Sequence, residues 1–159
     1  MTVVGVAVVS RENRPLAIRT VFDGSDGRQQ TEERLKLLFA MHSSLDFVEE
    51  KASTGTGGGS RDPFLGPILH LEALKVFALV STTRTRILVV VSTSGSSQTR
   101  DADVKHVCRL VHKAYVEATA CNPFYEAGQP IRCSKRFDAC IRDILHPLPQ
   151  PMQTPVVRY

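Results

Sequence analysis

Five histidines (His42, His70, His106, His112, His146) and four cysteines (Cys108, Cys121, Cys133, Cys140) are the side chains with which this chain could hold a metal or run nucleophilic chemistry. His112 lies one helical turn from Cys108, with Cys121 downstream, which imitates zinc-ligand spacing. Cys108, however, falls in the apolar periodicity of its segment, and His106 has the wrong phase to join it. No Cys-x-x-Cys pair occurs, so four reduced cysteines are expected, two of them on buried helix faces. No motif draws the histidines into a Ser-His-Asp arrangement. Asp46, Glu49 and Glu50 follow His42 closely enough to suggest an acid/base group, although carboxylates at this spacing on a helix read first as a solvated charged face. Asp46 stands apart. On a wheel of about 100° per residue it sits beside His42 and Glu49 at the margin of an apolar stripe. There a carboxylate either anchors neighbouring backbone or faces a partner. The glycines of Thr54-Gly55-Thr56-Gly57-Gly58-Gly59-Ser60 resemble a phosphate loop only superficially: they follow a helix, and no Gly-Lys-Ser/Thr appears. They read as a linker. No cofactor is called for by any of these groups.

The elements that position these residues are legible from periodicity. Val3 to Val9 is apolar on both faces, as in a strand covered on both sides, and a central place in a sheet is expected. Arg11 to Pro15 supplies turn chemistry, and Leu16 to Phe22 returns as the second strand of a hairpin. Asp23 to Gly27 breaks that strand. Thr31, Glu32 and Glu33 then open a helix predicted over Thr31 to Ala52, with Leu35, Leu38, Phe39, His42, Leu45 and Val48 as its buried stripe. Three β-rich runs follow, Phe64 to Leu71, Leu74 to Val80 and Ile87 to Val91, and connections this short force antiparallel neighbours. Gly66 and Pro67 place the first of them at an edge or a bulge.

The last third reads as two helices. Val104, Val107, Cys108, Val111, Ala114, Tyr115 and Ala118 recur at steps of three and four, with Asp101 expected as N-cap and Asp103 in the first turn. Pro123 stops this helix near Cys121. Ser134 is expected to cap a second helix that buries Phe137, Cys140, Ile141, Ile144 and Leu145. The order is therefore ββα-βββ-αα. One helix on one face and two on the other satisfy every apolar stripe, giving an α/β (α+β) three-layer α/β/α sandwich around a five-stranded, mainly antiparallel sheet. Residues 1–146 form one domain, and the proline-rich 147–159 form an extended or disordered tail.

At 159 residues and 42% hydrophobic, a single domain with a real core is expected. A net charge of +4 with scattered cations and only 6% aromatic residues gives poor support to a nucleic-acid surface. The run Val3 to Val9 is too short to span a bilayer, and no cleavage site precedes it, so the chain reads as soluble and non-secreted.

The element order, with Met41-His42-Ser43-Ser44-Leu45-Asp46, Cys121-Asn122-Pro123-Phe124-Tyr125, Pro130-Ile131 and Ser134-x-x-Phe137-Asp138, resembles the sedlin family of TRAPP (trafficking protein particle) complex subunits over about residues 1–146. That resemblance implies a longin-like, or profilin-like, fold. It also implies an adaptor, not an enzyme, within a multisubunit tether and Rab guanine nucleotide exchange factor acting in ER-to-Golgi and Golgi transport. Its partners would be other TRAPP subunits, with the Rab and the membrane met only through the assembled complex, and its place cytoplasmic and peripheral at ER and Golgi membranes. The chain departs from the family pattern in the expanded Asp23 to Gln30 loop, the glycine-rich linker and the proline-rich tail. Carried over residue by residue, His42, Asp46, Phe124 and Tyr125 are candidate partner-binding positions. The competing reading of the turn is that Asn122-Pro123 merely closes a helix while Phe124 and Tyr125 bury their rings. Three classes remain: a subunit docked through apolar helices and sheet edges, a stand-alone longin regulator that folds over a SNARE-type helix or binds a small GTPase, and a small enzyme using Asp46, Glu49 and His42. The absence of following heptads counts against the second.

Overall fold

The computed structural model describes residues 1–23, 27–54, 62–94, 99–132 and 134–146. The glycine-rich stretch 55–60 and the tail 147–159 lie outside them. The elements are β1 (Thr2–Val9), β2 (Pro15–Thr20), α1 (Arg28–Thr54), β3 (Phe64–His70), β4 (Leu74–Val80), β5 (Arg86–Ser92), α2 (Asp101–Thr119) and α3 (Lys135–Leu145). This is the predicted order, folded as a longin-like three-layer sandwich. All four neighbouring strand pairs are antiparallel, in the order β2-β1-β5-β4-β3. The middle strand is thus β5, with β1 beside it. Ile87 to Val91 are wholly buried because helices cover both of their faces.

Two hairpins share one device. Ser10 donates its amide to the Arg14 carbonyl at 2.8 Å, as Ser81 does to Thr85 at 2.9 Å, and the fourth residue of each tip, Asn13 or Arg84, has φ 61°. Asparagine tolerates that left-handed conformation well; arginine adopts it at a cost. Across the sheet, β3 is an edge, and its register slips on both sides of Gly66-Pro67, where Gly66 has φ 76°. A bulge needs that positive φ, and the missing proline N–H is tolerated at an edge.

On one face α2 and α3 pack Val104, Cys108, Val111, Phe137 and Ile141 against Val6, Val8, Phe77, Ile87 and Val89. The Ser134 hydroxyl accepts the Phe137 amide, as predicted. The α2 cap differs. Arg100 occupies the N-cap position with no side-chain bond, and Asp101 is already helical, acting with Asp103 on the dipole instead.

On the other face α1 buries Leu37, Ala40, Met41, Ser44, Leu45 and Val48. This corrects the predicted stripe. Leu45 and Val48 are buried and Leu38 is half-buried, but Leu35, Phe39 and His42 point to solvent. The helix is rotated because its sheet-facing side carries small residues. Ala40 and Ser44 are fully buried, and the Ser44 hydroxyl, donating to the Met41 carbonyl at 2.7 Å, needs no other partner. Close approach continues at Gly5 of β1, where a Cβ would lie 2.6 Å from Met41 Cε.

Candidate functional site

Rotating α1 leaves an unpartnered stripe on its outer side. Leu35 and Phe39 are 59% and 69% exposed, and His42 and Asp46 continue the row one turn and two turns further on. Steps of three and four put these four side chains on one line. Among the described residues the Asp46 carboxylate makes no hydrogen bond or ion pair, so no backbone anchoring is seen there. Its former companion is occupied elsewhere. Glu49 Oε1 accepts from Arg86 Nη2 at 2.8 Å, and Arg86 also bonds the Asn13 side chain. Glu49 is therefore committed to Arg86 rather than to Asp46.

Arg86 was not singled out from sequence, yet it is the one buried charged residue among the described residues. Standing at the mouth of the central strand, its guanidinium joins the β1–β2 turn to the end of α1. The one signal available was a cation opening an otherwise continuous apolar run. A second unforeseen pair is Arg19 of β2 with Asp138 of α3, at 3.0 Å, each about one-third exposed.

The second candidate region lies where α2 ends. Asn122 Oδ1 accepts the Phe124 amide at 3.0 Å and its carbonyl accepts the Tyr125 amide at 3.2 Å, the side-chain-to-backbone turn that asparagine favours. The Tyr125 hydroxyl donates to the Gln129 carbonyl at 2.6 Å, its ring half-buried against the α2/α3 core, and burial raises its pKa. Phe124 is 92% exposed, so the reading in which both rings are buried fails for Phe124 and holds in part for Tyr125. The loop returns through Ile131, buried, whose amide donates to the Leu16 carbonyl of β2 at 2.8 Å. Between turn and return runs an open cleft of about 870 Å³.

The remaining reactive groups are dispersed. His42 lies on α1, His70 ends β3, His106 and His112 lie on α2, and His146 follows α3. Cys108 is sealed in the core, where burial pushes its thiol up to about 12. Among the described residues no group of three metal-ligating side chains converges, and no helix is long and apolar enough to cross a membrane. The two faces that stand out present exposed rings and charge beside open surface.

Comparison with known proteins agrees with this architecture. The family profile described as Sedlin matches residues 8–146. The trafficking protein particle complex subunit 2-like protein of Xenopus tropicalis is 34% identical over 144 residues, covering 89% of this chain and 96% of that protein. The protein of the same description from Bos taurus is 33% identical over 142 residues, covering 88% and 94%, and that from Dictyostelium discoideum is 31% identical over 135 residues, covering 85% and 90%. With the profile spanning most of its length and such relatives matched almost end to end, this chain belongs to the sedlin family.

Proposed function

We propose that the chain is a non-catalytic adaptor subunit of a TRAPP-type complex, which tethers vesicles and serves as a Rab guanine nucleotide exchange factor in ER-to-Golgi and Golgi transport. The observation that carries this reading is the outer stripe of α1: two large apolar side chains held in water, continued by His42 and an unpaired Asp46. Exposed apolar surface rimmed by polar groups marks contact sites, since solvating it costs about 25 cal/mol per Å². The stripe does not suit a second copy of itself. Two such helices laid antiparallel would set Leu35 against Asp46, placing a carboxylate opposite an apolar side chain. A different subunit is the better occupant, as the relatives' names suggest. Phe124 and Tyr125 at the α2 turn form a second contact. The Rab, and the ER or Golgi membrane at which this cytoplasmic protein would act, are met through the assembly. On this reading the adaptor role calls for no cofactor and no nucleic acid.

The test is made on one variant. Asp46→Ala should leave thermal stability within about 0.5 kcal/mol, as surface changes do, while weakening co-purification with the other subunits. Loss of assembly accompanied by a stability loss of about 1.5–3 kcal/mol would instead identify a charge-assisted structural bond. Normal assembly would remove Asp46 from the interface. The purified chain alone should not accelerate nucleotide release from any Rab, and measurable exchange by it would end the adaptor reading.

A further inference from the structure

We infer that the cleft beside the Asn122 turn receives a short extended peptide segment in which carboxylates flank a large apolar side chain. This rests on the adaptor reading for its biological setting but not for its physical argument. The floor and one lip are apolar: Ile131 and Tyr125 below, Phe124 above with its ring almost wholly in water. The loop is rigidly made, because Asn122, Tyr125, Gln129 and Ile131 each spend a hydrogen bond holding it. An aromatic ring fixed in solvent by a pre-formed loop gains contact area on binding with little further loss of chain entropy.

Charge selects the occupant. The wall leading into α3 carries Arg132, Lys135 and Arg136, all exposed and none in an ion pair among the described residues. Lys135 and Arg136 open a helix, where cations oppose the macrodipole and where the sequence would be more stable with acids. The carboxylate of that first turn, Asp138, is turned away to Arg19. Glu117 of α2 and Glu126 of the loop also line the cleft, against three cations, so cations outnumber carboxylates there. Carboxylates on one side of the occupant would meet the cationic wall, while its apolar side chain lies against Phe124 and Tyr125.

Selection from a phage-displayed library of random dodecamers on the full-length protein tests this, followed by fluorescence anisotropy with the enriched peptides synthesised and labelled. The expected result is an enriched pattern of carboxylates around Leu, Ile, Phe or Trp. Affinity should fall at least tenfold with Phe124→Ala and with Lys135→Glu/Arg136→Glu, and melting should not change. Asp46→Ala should bind the peptides normally, which separates this cleft from the α1 contact: failure to assemble with subunits would sink the adaptor reading and leave the peptide result standing. No enriched pattern, a basic pattern, or peptides indifferent to the cleft variants would overturn the inference. So would binding to phosphatidylserine vesicles lost in the same variants without any selected peptide, since the cationic wall would then serve a lipid surface.

Discussion

The two helical layers cover the same sheet by different strategies. The α2/α3 layer fills its side with large residues, Phe137, Ile141, Val104 and Val111, all fully or almost fully buried, and leaves few big apolar groups outside. The α1 layer is mixed, burying Leu37, Met41, Leu45 and Val48 together with two small residues. It turns Ala40 and Ser44 inward, approaches the sheet closely at Gly5, and keeps Leu35 and Phe39 in solvent. A helix whose largest apolar residues are external is not optimised for its own domain. The difference separates a layer whose large apolar residues are spent inside the domain from one that leaves several of them outside.

Substitutions put that contrast to the test. The largest effect should come from Phe137→Ala, about 3–5 kcal/mol, read as a shift in denaturation midpoint; an unchanged midpoint would deny the α2/α3 layer its structural role. Next, Arg86→Ala should cost about 1.5–3 kcal/mol, because charge-assisted bonds to Asn13 and Glu49 disappear together. Ser134→Ala should cost about 1 kcal/mol through the lost α3 cap. The smallest effect is the most telling: Phe39→Ala should stay within about 0.5 kcal/mol despite removing a phenyl ring. A loss near that of Phe137→Ala would mean that α1 is packed as first predicted from its periodicity. Thiol labelling supplies an independent check at pH 8. Cys121 is exposed and should react in the native protein, whereas Cys108, buried with its thiol pushed up to about 12, should react only on unfolding.

The same contrast explains what sequence could and could not reveal. Strands β1 and β5, the α2 face and the Ser134 cap were legible because one apolar pattern had one destination. In α1 two patterns coexist, Leu35-Phe39-His42 and Leu37-Met41-Ser44-Val48, offset by roughly half a turn of the wheel. Periodicity shows that a helix has faces; it does not say which one meets the sheet. Asp46 was legible as odd, but its exposure follows from the rotation alone. Arg86 and the Arg19–Asp138 pair depend on strands and helices far apart in sequence meeting in space, which no local pattern encodes.

The sheet's two outer strands bear on how the protein behaves at high concentration. An exposed β edge recruits other chains indiscriminately and is the usual start of fibrillar aggregation. Here β2 gives its Leu16 carbonyl to Ile131, while β3 is interrupted by two register slips, lacks the Pro67 donor, and has the Pro67 carbonyl taken by Lys51 Nζ at 2.9 Å. Both templates are blunted. Association through added strands is thereby discouraged, and solubility is protected even though large apolar side chains stand in water on α1 and at Phe124.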